Sequence, residues 1–319
     1  MKTLGLLLVL VLPDAGRRDS GFHPANLRPL RSVPLGQART YAVAFSPDGR
    51  HLAAGGGDGT TLVFDTLSWR VIHRLKGHPQ GVYGLAFSPD GRALATAGAR
   101  DGMVRLWDVA TGAPLREIKG GRGISYRIAF HPRGAAALVA GEGDAARVVG
   151  VERGDAIASL DGHRGLSYAC AFGGDGKRAA TSDTEGTIHL WRVEDGWSRE
   201  RRIAARGGLI YALAFSRDGK RLLSGGGSGE LVLWDVQSGR ELLAFKGQSG
   251  EVRCAAFSPN GRHVVSAADG AVRVWDAASG LEVRRLEGKK GTSFELAMHP
   301  AGAMFAIAGD DGQLDLYGR

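Results

Sequence analysis

Apolar residues along this chain come in short runs, each cut by Gly, Asp, Asn or Pro before it can develop the period of an amphipathic helix. Between residues 82 and 107 the pattern is easy to follow. Val-Tyr-Gly-Leu-Ala-Phe (82–87) stops at Pro-Asp-Gly, Ala-Leu-Ala-Thr-Ala (93–97) stops at Arg-Asp-Gly, and Met-Val-Arg-Leu-Trp (103–107) precedes a Thr-Gly loop. Runs of this length and composition read as strands, and the residues between them supply positive φ or side-chain caps at low conformational cost. A further run follows the loop, so the unit predicted is strand, tight turn, strand, tight turn, strand, loop, strand: four antiparallel strands.

The unit recurs along the chain. Ala-Phe-Ser-Pro-Asp-Gly-Arg (44–50) returns unchanged at 86–92 and in variant form further on, with anchors at Phe45, Phe87, Phe130, Phe172, Phe215, Phe257 and Met298. Seven copies spaced at 41 to 43 residues cover nearly the whole chain. Periods of this size mark solenoids, propellers or arrays.

Arg-Leu-Lys-Gly-His (74–78), Phe-Ser-Pro-Asp-Gly (87–91) and Arg-Asp-Gly-Met-Val-Arg-Leu-Trp-Asp (100–108) resemble the WD40 repeat. The resemblance implies an all-β, seven-bladed β-propeller of four-stranded antiparallel blades. Trp107, Trp191, Trp234 and Trp275 stand at the Trp position; Phe64 and Tyr317 replace it in the first and last copies, and Gly150 leaves the third without an aromatic. The Gly-His pair survives at 77–78 and 162–163. An acidic residue stands six before the Trp position in six copies: Asp58, Asp101, Asp144, Glu185, Asp269 and Asp311, with Ser228 the exception. The resemblance further implies a hydrogen-bonded set of His, Ser/Thr, Asp and Trp that braces a blade. His78, Thr96, Asp101 and Trp107 complete it; His163, Thr181 or Ser182, Glu185 and Trp191 form a variant. A His beside an acid and a hydroxyl also resembles a catalytic triad, but acidic and aromatic positions that recur blade after blade read as braces.

The ends of the array point to a closed ring. Only Gly318 and Arg319 follow Tyr317, too few for a last strand, whereas Leu-Arg-Pro-Leu-Arg-Ser-Val-Pro-Leu-Gly (27–36) resembles the fourth-strand segments at 115–120 and 283–288. An N-terminal strand is therefore expected to complete the seventh blade and hide edges that invite aggregation. Residues 27–319 form the propeller, and 1–26 precede it. Met-Lys-Thr, the apolar run 4–12 and the small residues up to Gly16 resemble a secretory signal, which predicts export if 1–16 are removed. An extra apolar strand or a misplaced translation start are the alternative readings, and a chain retaining the segment would be cytoplasmic.

Composition narrows function. Gly is 50 of 319 residues, against a mainly helical chain, while 43% hydrophobic and 23% charged residues are ordinary for a globular protein. Two cysteines cannot build a disulfide framework or a four-cysteine zinc site; Cys170 and Cys254 fall in first strands and read as isolated thiols. The net charge of +8 points to nucleic acid only until it is located, because Lys2, Arg17, Arg18, Arg28, Arg31 and Arg39 against Asp14 and Asp19 supply half of it outside the repeats or at their edge. Arg50, Arg92, Lys177, Lys220 and Arg262 share one turn position, four of them two residues after an Asp, which cancels much of the local field. Nucleic acid is thus a disfavoured partner. Metalloprotease, esterase, P-loop and haem-attachment motifs are absent, no catalytic residue, cofactor or metal ligand is assigned, and Gly-Glu-Gly-Asp-Ala-Ala (141–146) is a turn rather than a dinucleotide fingerprint.

The distinctive feature is a ring of aromatics. Four residues before the anchors stand Tyr41, Tyr83, Tyr126, Tyr168, Tyr211, Arg253 and Phe294, which places five of the six tyrosines at one repeat position. In a propeller this is the entrance of the innermost strand. Two readings stand side by side: Tyr packing between strands, and a partner-binding surface at the mouth of the central channel. Arg253 is where a partner's carboxylate is expected. Trp69 and Trp197, in loops on the opposite face, are not explained by the repeat. The function expected is a non-enzymatic scaffold for proteins or peptides; the alternative is a small-ligand or catalytic site in the channel, for which the ring offers a single ionisable cation, Arg253.

Overall fold

The computed structural model describes residues 22–319 apart from 122, 289 and 290; the signal-like segment 1–16 lies outside the described residues. Seven four-stranded antiparallel sheets follow one another around a central channel. Six are built from consecutive strands, as in blade two: Val82–Phe87, Ala93–Gly98, Met103–Asp108 and Pro114–Lys119. The seventh combines Ser293–Met298, Met304–Gly309 and Gln313–Gly318 with Arg28–Pro34, whose partners run from Arg28 opposite Gly318 to Pro34 opposite Gln313. The chain closes on itself, and Leu27 and Phe22, both buried, join the same core as Leu286 and Tyr317.

Burial explains the strand patterns. Second and third strands are sandwiched between neighbouring blades and read as continuous apolar runs, as at Leu52, Ala53 and Ala54, whereas outer strands such as Val71–Lys76 keep one buried residue, Leu75. The ladder between third and fourth strands shifts register at the Trp position: at Leu106/Trp107, Leu190/Trp191, Leu233/Trp234 and Val274/Trp275. In blade three the shift falls at Val148/Val149. Val149, buried in the core with Val104 and Ile118, thus holds that place and Gly150 does not. Blades one, four, five and seven space anchor and aromatic by 19 residues, which points to Val149; Gly150 fits only the 20-residue spacing of blade two, whose second-to-third-strand turn is longer.

Trp69 and Trp197 each pack against a blade core. Trp69 takes φ of 56° and donates its N–H to the Asp65 carbonyl, as Gly112, at φ 72°, does to Asp108. An indole occupies a left-handed position that Gly holds elsewhere, and its ring packs against the core beneath. Trp197, at φ 65°, lays its ring edge-on against Phe172. Among the described residues, no helix is long and apolar enough to cross a membrane.

Candidate functional site

At one end of the channel the inner strands begin with a bulge. Register shifts between Thr40 and Ala42, Val82 and Gly84, Ser125 and Arg127, Ser167 and Cys170, Ile210 and Ala212, and Ser293 and Glu295 straddle the aromatic position in six blades. A bulge re-aims the residue it contains, and here it turns each ring towards the axis. The seven side chains close on one another. Tyr41 meets Tyr83 edge-on with centroids 4.4 Å apart, Tyr126 stacks on Tyr168 at 4.6 Å, Tyr168 meets Tyr211 at 5.2 Å, and Tyr41 meets Phe294 at 5.1 Å. Arg253 completes the circle with its guanidinium 4.5 Å from the Tyr211 ring and 5.6 Å from that of Phe294. Together with Arg127 these residues line a cavity of about 170 Å³.

The carboxylate expected beside Arg253 comes from the chain itself. Glu251 lies 2.6 Å from Arg253 Nη2 and accepts the Tyr211 hydroxyl at 3.0 Å, because residues two apart at a strand entrance share one side of the rim. Burial pushes the Tyr211 phenol up to about 12 despite Arg253, and burial likewise raises Tyr83 and Tyr126. Those three phenols therefore face the mouth neutral, as amphipathic edges rather than charges.

Beneath the rim lies a feature that sequence reasoning missed. Three residues before the anchors stand Ala42, Gly84, Arg127, Ala169, Ala212, Cys254 and Glu295. Arg127 of blade three and Glu295 of blade seven meet across the channel, Nε to Oε2 3.1 Å, with 17% and 24% of their side chains exposed. Arg127 also donates to the carbonyls of Tyr83 (3.1 Å), Tyr126 (3.3 Å) and Phe294 (3.0 Å), so most of its donors are engaged within the protein. The pair fits because the other five positions are small; a Cβ on Gly84 would already come within 3.2 Å of the Arg127 Cα. Burial pushes the Glu295 carboxyl up, and Arg127 pulls it back only in part. The legible signal was two opposite charges in a ring of small residues. Burial also pushes the Cys170 thiol up to about 12 and raises Cys254; both cysteines are free.

The braces form a graded set. In blade two the Trp107 indole N–H donates to Thr96 Oγ1 (3.0 Å), which leaves the Thr96 hydroxyl to face His78 Nε2 (2.8 Å) and His78 Nδ1–H to face Asp101 (2.8 Å). Burial lowers the His78 pKa against the pull of Asp101, in keeping with a single shared proton. Arg105 also donates to Asp101. In blade four, Trp191 and His163 each lie 2.8 Å from Thr181 Oγ1, while Ser182 faces Ile210 instead. The acid there is Asp183, 3.4 Å from His163 Nδ1, not Glu185. Glu185 is exposed, and its backbone N–H is capped by Asp183, which ends the second strand where five other blades carry Gly and blade six carries Ala268. Trp234 donates to Ser224 and Trp275 to Ser266, the latter hydroxyl meeting Gln248 in place of a His. Blade three has no such chain, and its Ser125 hydroxyl is buried without a partner.

His189 stands beside His163, ring centroids 4.5 Å apart. It is fully buried, neither ring nitrogen has a protein partner, and burial together with His163 and Arg199 lowers its pKa to about 4.

The family model described as WD domain, G-beta repeat matches residues 31–65, 69–108, 154–192, 199–235 and 239–276, more than half of the chain. The unmatched blades are the third, which lacks the Trp and the His, and the seventh, which is assembled from both ends. No curated protein matches the chain.

Proposed function

Because the chain belongs to the WD40-repeat family, whose propellers generally serve as non-enzymatic platforms for other proteins, we propose that it is a protein- or peptide-binding scaffold whose docking point is the aromatic mouth of the channel. The carrying observation is the cup itself: six aromatic rings and Arg253 in mutual contact around a single cavity. At about 170 Å³ it is smaller than the roughly 300–1,000 Å³ of a typical small-molecule pocket, and it suits one inserted side chain. Rings that brace one another lose little conformational freedom when a partner docks, and aromatic anchors with one polar edge carry a large share of interface energy. The channel reading is weakened, since its cation Arg253 is already paired with Glu251 through Nε and Nη2, and Arg127 below it is held by Glu295 and three carbonyls.

The test is affinity capture from native extract with the intact protein, a Tyr83→Ala/Tyr126→Ala/Tyr168→Ala variant, and an Arg50→Ala/Arg92→Ala variant on the opposite face, each checked for an intact melting transition. Loss of the same partners from the tyrosine variant alone supports the proposal. Identical recovery by all three refutes it.

A further inference from the structure

Blades two and four use the same bracing plan, and the difference between them is informative. Two residues before the Trp, blade two carries Arg105, whose guanidinium donates to Asp101 and so sets a cation against the carboxylate. Blade four carries His189 at that position, with neither ring nitrogen paired inside a fully buried site. Buried polar groups are almost always satisfied, and an orphaned pair on one ring calls for a cause.

The neighbouring distances supply one. His163 Nδ1 and Asp183 Oδ2 are 3.4 Å apart, where the blade-two pair closes to 2.8 Å. That separation is long for a hydrogen bond to a carboxylate, yet it matches the edge of about 3.4 Å between ligands at about 2.0–2.1 Å from a tetrahedral zinc ion. One ligand atom from each of His163, Asp183 and His189 lies within 4.8 Å of the others. The outer contacts are those of a positioned ligand set. His163 presents its other nitrogen to Thr181, and the second oxygen of Asp183 is fixed by the N–H groups of Glu185 and Thr187.

We propose that blade four holds one divalent transition-metal ion of the zinc type, bound by His163 Nδ1, a ring nitrogen of His189 and Asp183. Two imidazoles and one carboxylate suit zinc over calcium or magnesium, and three protein ligands leave a fourth position for water. The ion supplies the positive charge that Arg105 supplies in blade two. Arg199 packs over Gly162 at the same corner, where a Cβ on that glycine would come within 2.4 Å of Nη1 and 3.7 Å of the His189 ring, and its charge works against the ion.

The experiment loads full-length protein, first stripped with a chelator, with Zn²⁺ or Co²⁺, removes the excess by buffer exchange, and measures metal by elemental analysis and the cobalt visible spectrum. Expected are one equivalent of zinc, intense four-coordinate cobalt bands, and a higher melting temperature in zinc than in chelator. His189→Gln abolishes all three while melting as the unaltered protein does in chelator, His78→Gln in blade two keeps one equivalent, and Arg199→Gln tightens binding. No retained zinc in the unaltered protein overturns the proposal, as does full retention by His189→Gln. Should His189→Gln fail to fold, the cobalt spectrum of the unaltered protein decides: bands of the free hexaaquo ion alone refute the site.

Discussion

Replacing Arg127 with Met tests how the channel is held. The substitution keeps a long, flexible side chain but removes the partner of Glu295 and the donors to three carbonyls of blades two, three and seven. Breaking a buried ion pair by removing one member costs about 3–5 kcal/mol, which for a chain of this size lowers the melting temperature by about 6–10 °C at roughly 2 °C per kcal/mol. Glu295 has one escape, which is to take up a proton. Its folded pKa already lies above the ordinary carboxylate value because burial outweighs Arg127, and without Arg127 burial acts unopposed. A raised acid stabilises the folded state while protonated, and that contribution is lost as pH rises through the folded value. The cost of Arg127→Met should therefore be smaller at acid than at alkaline pH, with the part due to the three carbonyl donors present at both. Glu295→Gln, which removes the charge that burial opposes and keeps an oxygen facing Arg127, should cost less at alkaline pH than Arg127→Met does. In the double variant the two costs should fall short of their sum by at least about 1 kcal/mol. Thermal melts of the four proteins across pH measure all of this. A pH-independent loss for Arg127→Met, or strictly additive losses, would refute the reasoning.

Three further outcomes follow from the same architecture. Trp107→Ala removes a buried indole and its bond to Thr96 and should cost about 3–5 kcal/mol, read from denaturant midpoints; a cost under about 1 kcal/mol would contradict the brace. Blade three, with Val149 in the Trp place and Ser125 unpaired, should exchange amide hydrogens of Ala136–Gly141 faster than blade two does those of Ala93–Gly98, and equal protection would count against it. Cys170 and Cys254, whose thiols burial holds protonated, should resist a thiol reagent in the native protein and react fully in denaturant; rapid native labelling would show that the inner strands open.

The ring of blades was legible because a repeat multiplies weak signals. One Ala-Phe followed by Pro-Asp-Gly says little, while seven anchors at one period fix strand order, and the leftover segment near Val33 then has one place to go. The aromatic mouth was legible for the same reason, as a shared repeat position. What the repeat concealed were its exceptions. Arg127 and Glu295 are 168 residues apart and meet because the ring brings blades three and seven face to face. Asp183 displaced Glu185 because an acid at the end of the second strand reaches His163 directly, whereas the turn acid points into solvent. His189 sits inside a third strand, Thr187–Arg192, with no motif around it to single it out; its unpaired nitrogens are visible only once His163 and Asp183 are placed around it.

The claim on which the functional account rests is that partners engage the tyrosine mouth. A photo-crosslinking amino acid placed singly at Tyr83, at Tyr126 and, on the opposite face, at Arg92 tests it directly in native extract. Covalent adducts to a common partner from positions 83 and 126, absent from position 92, are the predicted result; adducts from position 92 alone would place the interface on the other face and contradict the account.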